Sequence, residues 1–306
     1  MLNYVLRRLA QAGLILLGVS FITIALLYVL PADPAVQIAG RSATPETVAS
    51  IRAQLGLDQP LLAQYWNYLS NLAQGDFGRS YLQKTEVSTL IQSRIGPSLS
   101  LMFFAILIEL IIGLSAGIYS AMMRGKLSDN VVMVSSFIAI SAPQFIISIF
   151  VLYIFAVKLG WFPIGGYGRP IHYVLPALTL GILGSGWYSR VMRSSMIDVL
   201  RQDYIRTARA KGAPISRIIR VHAFKNAVLP IIAMIGLDIG IFMGGIVVVE
   251  SVFGWPGIGQ LAWQAIQRVD IPIIMAVTLV SAIAIVIGNL IADLIAPFVD
   301  PRIRLK

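Results

Sequence analysis

Four carboxylates stand inside long apolar stretches of this chain: Glu109, Asp238, Glu250 and Asp293. An ionisable group in such surroundings is costly. It marks a substrate or proton path, or it serves as an interhelical hydrogen-bond partner. Glu109 and Asp238 sit near the middle of their stretches, whereas Glu250 and Asp293 lie close to the ends, within reach of water. Glu109, Asp238 and Glu250 are the candidates for a substrate path, with the packing role kept beside it. Other chemistry is thin. The absence of cysteine excludes disulfides, thiolate metal sites and a Cys nucleophile. The two histidines, His172 and His222, fall on opposite sides of the topology derived below and cannot share a metal, so no ligand set for zinc or nickel is expected. No Gly-x-x-x-x-Gly-Lys-Ser/Thr loop is present to cradle a nucleotide, so ATP would have to be bound elsewhere. Asp76-Phe77-Gly78 imitates a kinase metal motif without any of its companions, and residues 75–80 read as a turn.

The composition says what kind of scaffold must hold these groups. Of 306 residues, 57% are hydrophobic and only 12% charged, with mean hydropathy +0.81. Soluble domains carry ~25% charged residues. Half that density cannot cover a water-facing surface, which excludes an ordinary soluble enzyme and a disordered chain. A membrane span needs about 20 mostly apolar residues, because the hydrocarbon is ~30 Å thick and a helix rises ~1.5 Å per residue. Six stretches qualify: 9–30, 98–122, 131–156, 173–188, 228–251 and 273–296. The fourth is short, Gly-rich and polar near Ser185. Arg7-Arg8 before the first imitates a secretory leader, but a leader's apolar core runs only about 7–15 residues, so a retained helix is expected.

Lys and Arg set the orientation. With the N-terminus inside, sixteen fall on cytoplasmic segments and eight on outer ones. Both termini are therefore expected in the cytoplasm. The net charge of +10 becomes a topology signal, which leaves no surface for nucleic acid. The expected fold class is an all-α membrane protein with six transmembrane helices in a single domain.

Two segments are too long to be connectors. The outer one, 31–97, carries helix signals: Thr44-Pro45 as N-cap and first helical residue with Gly56 as a stop, then Asp58-Gln59-Pro60 opening an amphipathic run that ends at Gly75. Val87, Leu90 and Ile91 suggest a third helix. This segment is either a packed cap on the rim or a docking platform for an outside partner. The inner one, 190–226, reads as a helix to about Lys211, a stop at Gly212 and a new start at Pro214. Ile215, Ile218, Ile219 and His222 then share a face. A short helix with basic residues around an apolar ridge fits a groove on another protein or a surface of anionic lipid.

Gly236, Gly240 and Gly244, like Gly113 and Gly117, repeat every four residues and allow helices to approach closely. Pro143, Pro176 and Pro230 interrupt or open spans. The turn Phe253-Gly254-Trp255-Pro256-Gly257-Ile258-Gly259 reads as an apolar gate or an interfacial anchor.

Several blocks together resemble a known family. Asp203-Tyr204-Ile205-Arg206-Thr207-Ala208-Arg209-Ala210-Lys211-Gly212, followed by Asn226-Ala227-Val228-Leu229-Pro230, is similar to the cytoplasmic "EAA" loop of ABC-importer permeases of the oligopeptide/dipeptide/nickel type. Leu30-Pro31-Ala32-Asp33-Pro34, Leu55-Gly56-Leu57-Asp58-Gln59-Pro60, Gly75-Asp76-Phe77-Gly78, Val249-Glu250-Ser251 with the turn after it, and Asp300-Pro301-Arg302-Ile303-Arg304 agree, in order, from end to end. The long outer segment points to the first of the two permease types. Arg206 and Thr207 stand where the general pattern has Glu and Ala. The resemblance implies a type I importer permease fold in the cell inner membrane, paired with a second permease subunit, two ABC ATPase subunits and a substrate-binding protein. It implies that Asp203, Arg206, Thr207, Ala208, Arg209, Ala210, Lys211, Gly212, Ala213 and Pro214 engage the ATPase, and that the cargo is a di- or oligopeptide, whose amino terminus suits an acid in the path. ATP and magnesium would be bound by the partners, with no cofactor in this chain. The competing function is an ion-coupled secondary carrier acting alone, which calls for inverted repeats; none is convincing here.

Overall fold

The computed structural model describes residues 2–29, 34–40 and 43–299. The block 300–304 and all of 30–34 except Pro34 lie outside the described residues. Among these residues the structure is helical, and the one extended pairing is the Arg79–Glu86 bridge.

The chain opens with α1 (Leu2–Val29). The segment after it folds into α2 (Pro34–Ala39), α3 (Pro45–Gln54) and α4 (Leu61–Ala73). Thr44 caps α3 by accepting from the Thr47 N–H at 3.3 Å, and Gly56 and Gly75 take the left-handed φ values +64° and +79° that end the helices before them. The amphipathic α4 lies along α1. Tyr65 donates its hydroxyl hydrogen to the Leu17 carbonyl at 2.8 Å and stacks edge-on against Phe21. It therefore meets α1 well inside that helix's apolar stretch rather than at its tip. The third helix expected near Val87 is the start of α5 (Val87–Met122), which runs unbroken through Pro97.

A tight turn leads to α6 (Leu127–Ser141) and α7 (Gln144–Leu152), the latter continued by a π-helical turn Tyr153–Lys158. Pro143 ends the first of these, and the two halves of the expected third span bend by 99°. Next come α8 (Ile171–Leu200), α9 (Asp203–Ala210), α10 (Ile215–Arg217) with a π-helical continuation Ile218–Ala223, and α11 (Phe224–Ala227). The chain finishes with α12 (Leu229–Gly245), α13 (Val247–Val252), α14 (Ile258–Arg268) and α15 (Ile271–Val299).

Among the described residues, three helices are long and apolar enough to cross a membrane, and five candidates arise if each bent pair is one span. The expected fourth span, 173–188, is absent from that set. It lies within α8, which continues unbroken over Pro176 to Leu200. The reason is its position. α8 is packed between α5, α6 and α7 and buries Ser185, Gly186 and Ser189, so protein rather than lipid covers its polar residues. Gly113, Gly117 and Gly181 make this possible: a Cβ on Gly117 would stand 2.6 Å from the Ser189 carbonyl oxygen, so α5 and α8 touch backbone to backbone. α12 and α15 meet in the same way through Gly236, Gly240 and Gly288.

Candidate functional site

The segment after α8 departs from the single helix expected up to Lys211. The chain breaks at Arg201–Gln202, where Gln202 is extended, and restarts as α9. Its end is a Schellman motif. Gly212 at φ +75° donates to the Arg209 carbonyl at 2.9 Å, and Ala213 donates to the Ala208 carbonyl at 3.1 Å. Pro214 then opens α10. Of the apolar ridge expected to face a partner groove or a lipid surface, Ile215 is exposed but Ile218 and Ile219 are turned inward. Ile218 and Ile219, together with Ile205 of α9, are buried against Tyr188, Met192 and Met196 of α8. α8 of the same chain offers the nearest apolar surface, so these three isoleucines anchor the element. What remains exposed is Asp203, Tyr204, Arg206, Thr207, Arg209, Ala210, Lys211, Gly212, Pro214 and Ile215, a basic surface with two apolar side chains on it, with Ala208 and Ala213 half-buried. Arg206 pairs with Asp203 at 3.3 Å across one helical turn, and Tyr204 accepts from the Asn226 amide at 2.7 Å.

The mid-span acids come together. Glu109 on α5 and Asp238 on α12 interact directly, and Tyr188 on α8 donates its hydroxyl hydrogen to Asp238. Gly184 of α8 leaves the space that the Glu109 carboxyl fills. Glu109 is buried, and its Oε2 finds no hydrogen-bond partner among the described residues. Glu250 stands apart from this pair. It is fully buried and accepts from the Ser98 hydroxyl at 2.9 Å, the Gln260 N–H at 2.7 Å and the Gly259 N–H. The same Ser98 oxygen accepts from the Ile258 N–H at 2.8 Å, and the Trp255 indole donates to the Pro97 carbonyl at 3.1 Å. Glu250 thus holds the turn 253–259 against α5. Trp255 and Phe253 are fully buried there, so neither is an interfacial anchor. Asp293 pairs with Arg8 of α1 at 2.5 Å.

Two polar clusters escaped the sequence reading. Asp129, at the start of α6 and 1% exposed, is gripped by Arg193 of α8 through two bonds of 2.7 Å. It also accepts from the Gly125 N–H at 3.0 Å and from the Ser120 hydroxyl. Asp270, before α15, accepts from the Ser80 hydroxyl at 2.5 Å and from the Tyr81 and Leu82 N–H groups. Burial, and secondarily this carboxylate, pushes the Tyr81 phenol up to about 12. In sequence Arg193 was counted only as one of the cytoplasmic charges, and Asp129 drew no reading. His172 accepts the Arg169 N–H on its ring nitrogen, and the described residues contain no cluster of metal-ligating side chains.

Comparison with known proteins defines the class. Residues 113–305 match the family described as binding-protein-dependent transport system inner membrane component, and residues 1–102 match its N-terminal companion. Glutathione transport system permease protein GsiC from Escherichia coli (strain K12), and its counterparts from Shigella flexneri serotype 5b (strain 8401) and Salmonella typhi, are each 40% identical over the full length of both chains. Among solved structures, inward-facing conformations of the MetNI methionine ABC transporter share the fold. Two crystal forms superimpose with TM-scores of 0.59 and 0.57 at 18% and 20% identity, covering 69% of this chain and 96% and 97% of theirs. The chain belongs to the binding-protein-dependent permease family of ABC transporters.

Proposed function

We propose that this chain is the pathway subunit of an ATP-driven importer in the inner membrane, with six spans and both termini in the cytoplasm. A second permease subunit completes the path, two ABC ATPases power it, and a binding protein outside delivers the cargo. α8 serves as the fourth span despite its polar residues, because its neighbours cover them. The cargo is a small peptide of the glutathione or dipeptide class, a reading supported by the names of the 40%-identical relatives. Glu109 and Asp238 supply the polar lining that meets its amino group. Glu250, whose oxygens are taken by its own chain, keeps the outer turn in place.

One observation carries this reading: an exposed basic turn around Gly212, mounted rigidly on the end of a buried span by Ile205, Ile218 and Ile219. A surface so anchored passes force from a partner to the bundle. The test is Gly212→Asp. Nothing lies within 4 Å of the added Cβ, and the left-handed backbone costs Asp about 1 kcal/mol, so the fold survives. The variant is expected to insert normally yet lose ATPase subunits on purification and lose glutathione and dipeptide uptake. Normal uptake with normal substrate-stimulated hydrolysis would remove the coupling role. The buried acid pair favours a second reading, an ion-coupled carrier. Uptake by the lone chain in liposomes under an ion gradient would select it.

A further inference from the structure

We propose that the Asp129–Arg193 ion pair is a positioning device that makes α5, α6 and α8 move as one body with the coupling element. The proposal rests on the importer reading above. Four donors from three places converge on one buried carboxylate: Arg193 on α8, Ser120 on α5 and Gly125 in the turn between α5 and α6. The arginine fork is bidentate, which fixes direction as well as distance. Asp129 itself starts α6, so a single side chain ties both limbs of the α5–α6 hairpin to α8.

The tie sits beside the place where force would enter. Met192 and Met196, on either side of Arg193 along α8, form the buried seat for Ile205, Ile218 and Ile219. At the same level Gly117 brings α5 against the α8 backbone, and Ser136 of α6 hydrogen-bonds Ser189 of α8 at 2.6 Å. Small residues let these helices slide as readily as they let them touch. A charged fork does not slide, because a buried carboxylate deprived of its partner is strongly destabilised. A push on α9 therefore moves the hairpin with α8, while α12, entered through a 50° bend after α11, meets α5 and α8 through the Asp238 contacts to Glu109 and Tyr188 and carries no tie to the Asp129–Arg193 pair. Residues such as Arg193 that touch no cargo then determine how much transport each hydrolysed ATP yields.

The test uses the complete transporter, with both permeases, the ATPases and the binding protein, reconstituted in lipid. Asp129→Asn keeps the shape and removes the charge, and Arg193→Lys keeps the charge and removes the fork. Both are expected to retain the ATPases while peptide delivered per ATP falls at least about fivefold, the lower end of the usual range for coupling between sites. A second measurement is made without either variant. The chain has no cysteine, so spin labels can be placed cleanly at Leu127→Cys, which is 79% exposed, and at Gln202→Cys just before α9. Their separation is expected to stay the same between nucleotide-free and nucleotide-trapped states. A change beyond the ~1–2 Å of packed-helix adjustment overturns the proposal, as does an unchanged yield per ATP in the assembled variants. The label pair decides the matter even where a variant fails to assemble. If the unaltered chain captures no ATPase at all, the importer reading falls first and takes this inference with it.

Discussion

Replacing Glu250 by Ala removes a carboxylate that nothing else can replace. The side chain is fully buried, and the donors on it are the Ser98 hydroxyl, the Gln260 N–H and the Gly259 N–H. The hydroxyl can rotate toward another acceptor, but the two backbone groups cannot. A stranded buried donor costs about 1–3 kcal/mol, so the pair sets a loss of about 2–6 kcal/mol before any cavity is counted. Glu250→Gln keeps the volume and one carbonyl oxygen, and it is expected to lose about half as much. Leu127→Ala serves as the exposed control. The assay is the unfolding midpoint of the purified chain in detergent, followed by tryptophan fluorescence, with Trp255 packed beside the site as a reporter. The expected order of loss is Ala, then Gln, then control. The reasoning is refuted if Glu250→Ala unfolds within about 0.5 kcal/mol of the control, the scatter of ordinary surface substitutions.

Gly117→Leu is expected to destabilise by at least about 1–3 kcal/mol in the same assay, because even its Cβ would stand 2.6 Å from the Ser189 carbonyl oxygen and 2.7 Å from the Met192 Cβ. Asp270→Ala strands the Tyr81 and Leu82 N–H groups, so hydrogen exchange at those two amides should quicken by about tenfold, while exchange within α8 stays unchanged. Equal protection of the two amides in both proteins would show that the carboxylate does not hold that turn.

Local signals were legible where a residue acts on its own backbone. Thr44, Pro45 and Gly56 mark the ends of α3, and Gly212 and Pro214 mark a stop and a restart, because capping and left-handed turns are decided within a few residues. Partnership was not legible. Asp129 and Arg193 are 64 positions apart, and neither is unusual in its own window. The direction of the ridge at Ile218 failed for the same cause: periodicity shows that a face is apolar, but not which surface covers it. The length of α8 was hidden because hydropathy reports contact with lipid, and this helix is enclosed by protein. The acids at Glu109, Asp238 and Glu250 did stand out in the sequence, and position along the stretch set the mid-span pair apart, but it put Glu250 within reach of water where the structure buries it against Ser98 and the start of α14.

The placement of the polar ties along α5 shows why such a bundle needs them. Lipid is as apolar as leucine, so burying apolar side chains between helices provides little drive for association, and packing of small residues and interhelical hydrogen bonds take over. Arg94 and Ser100 on α5 also bond other helices, to Gln260 of α14 and Tyr173 of α8, but the buried polar ties of α5 are Ser98, Glu109 and Ser120, each eleven positions after the last. Eleven residues are three turns of helix with ~20° left over, so all three lie on one stripe, about 16 Å apart. Together they span about 33 Å, close to the ~30 Å of hydrocarbon. Ser98 joins α13 and α14 at one end, Glu109 meets Asp238 of α12 in the middle, and Ser120 meets the carboxylate held by α8 at the other end. Between them the stripe is Leu101, Ala105, Gly113 and Gly117, small or apolar residues that pack closely but fix no register. A one-turn slip of α5 would preserve most of that packing and would break all three ties together. It is the ties that hold this helix in one register.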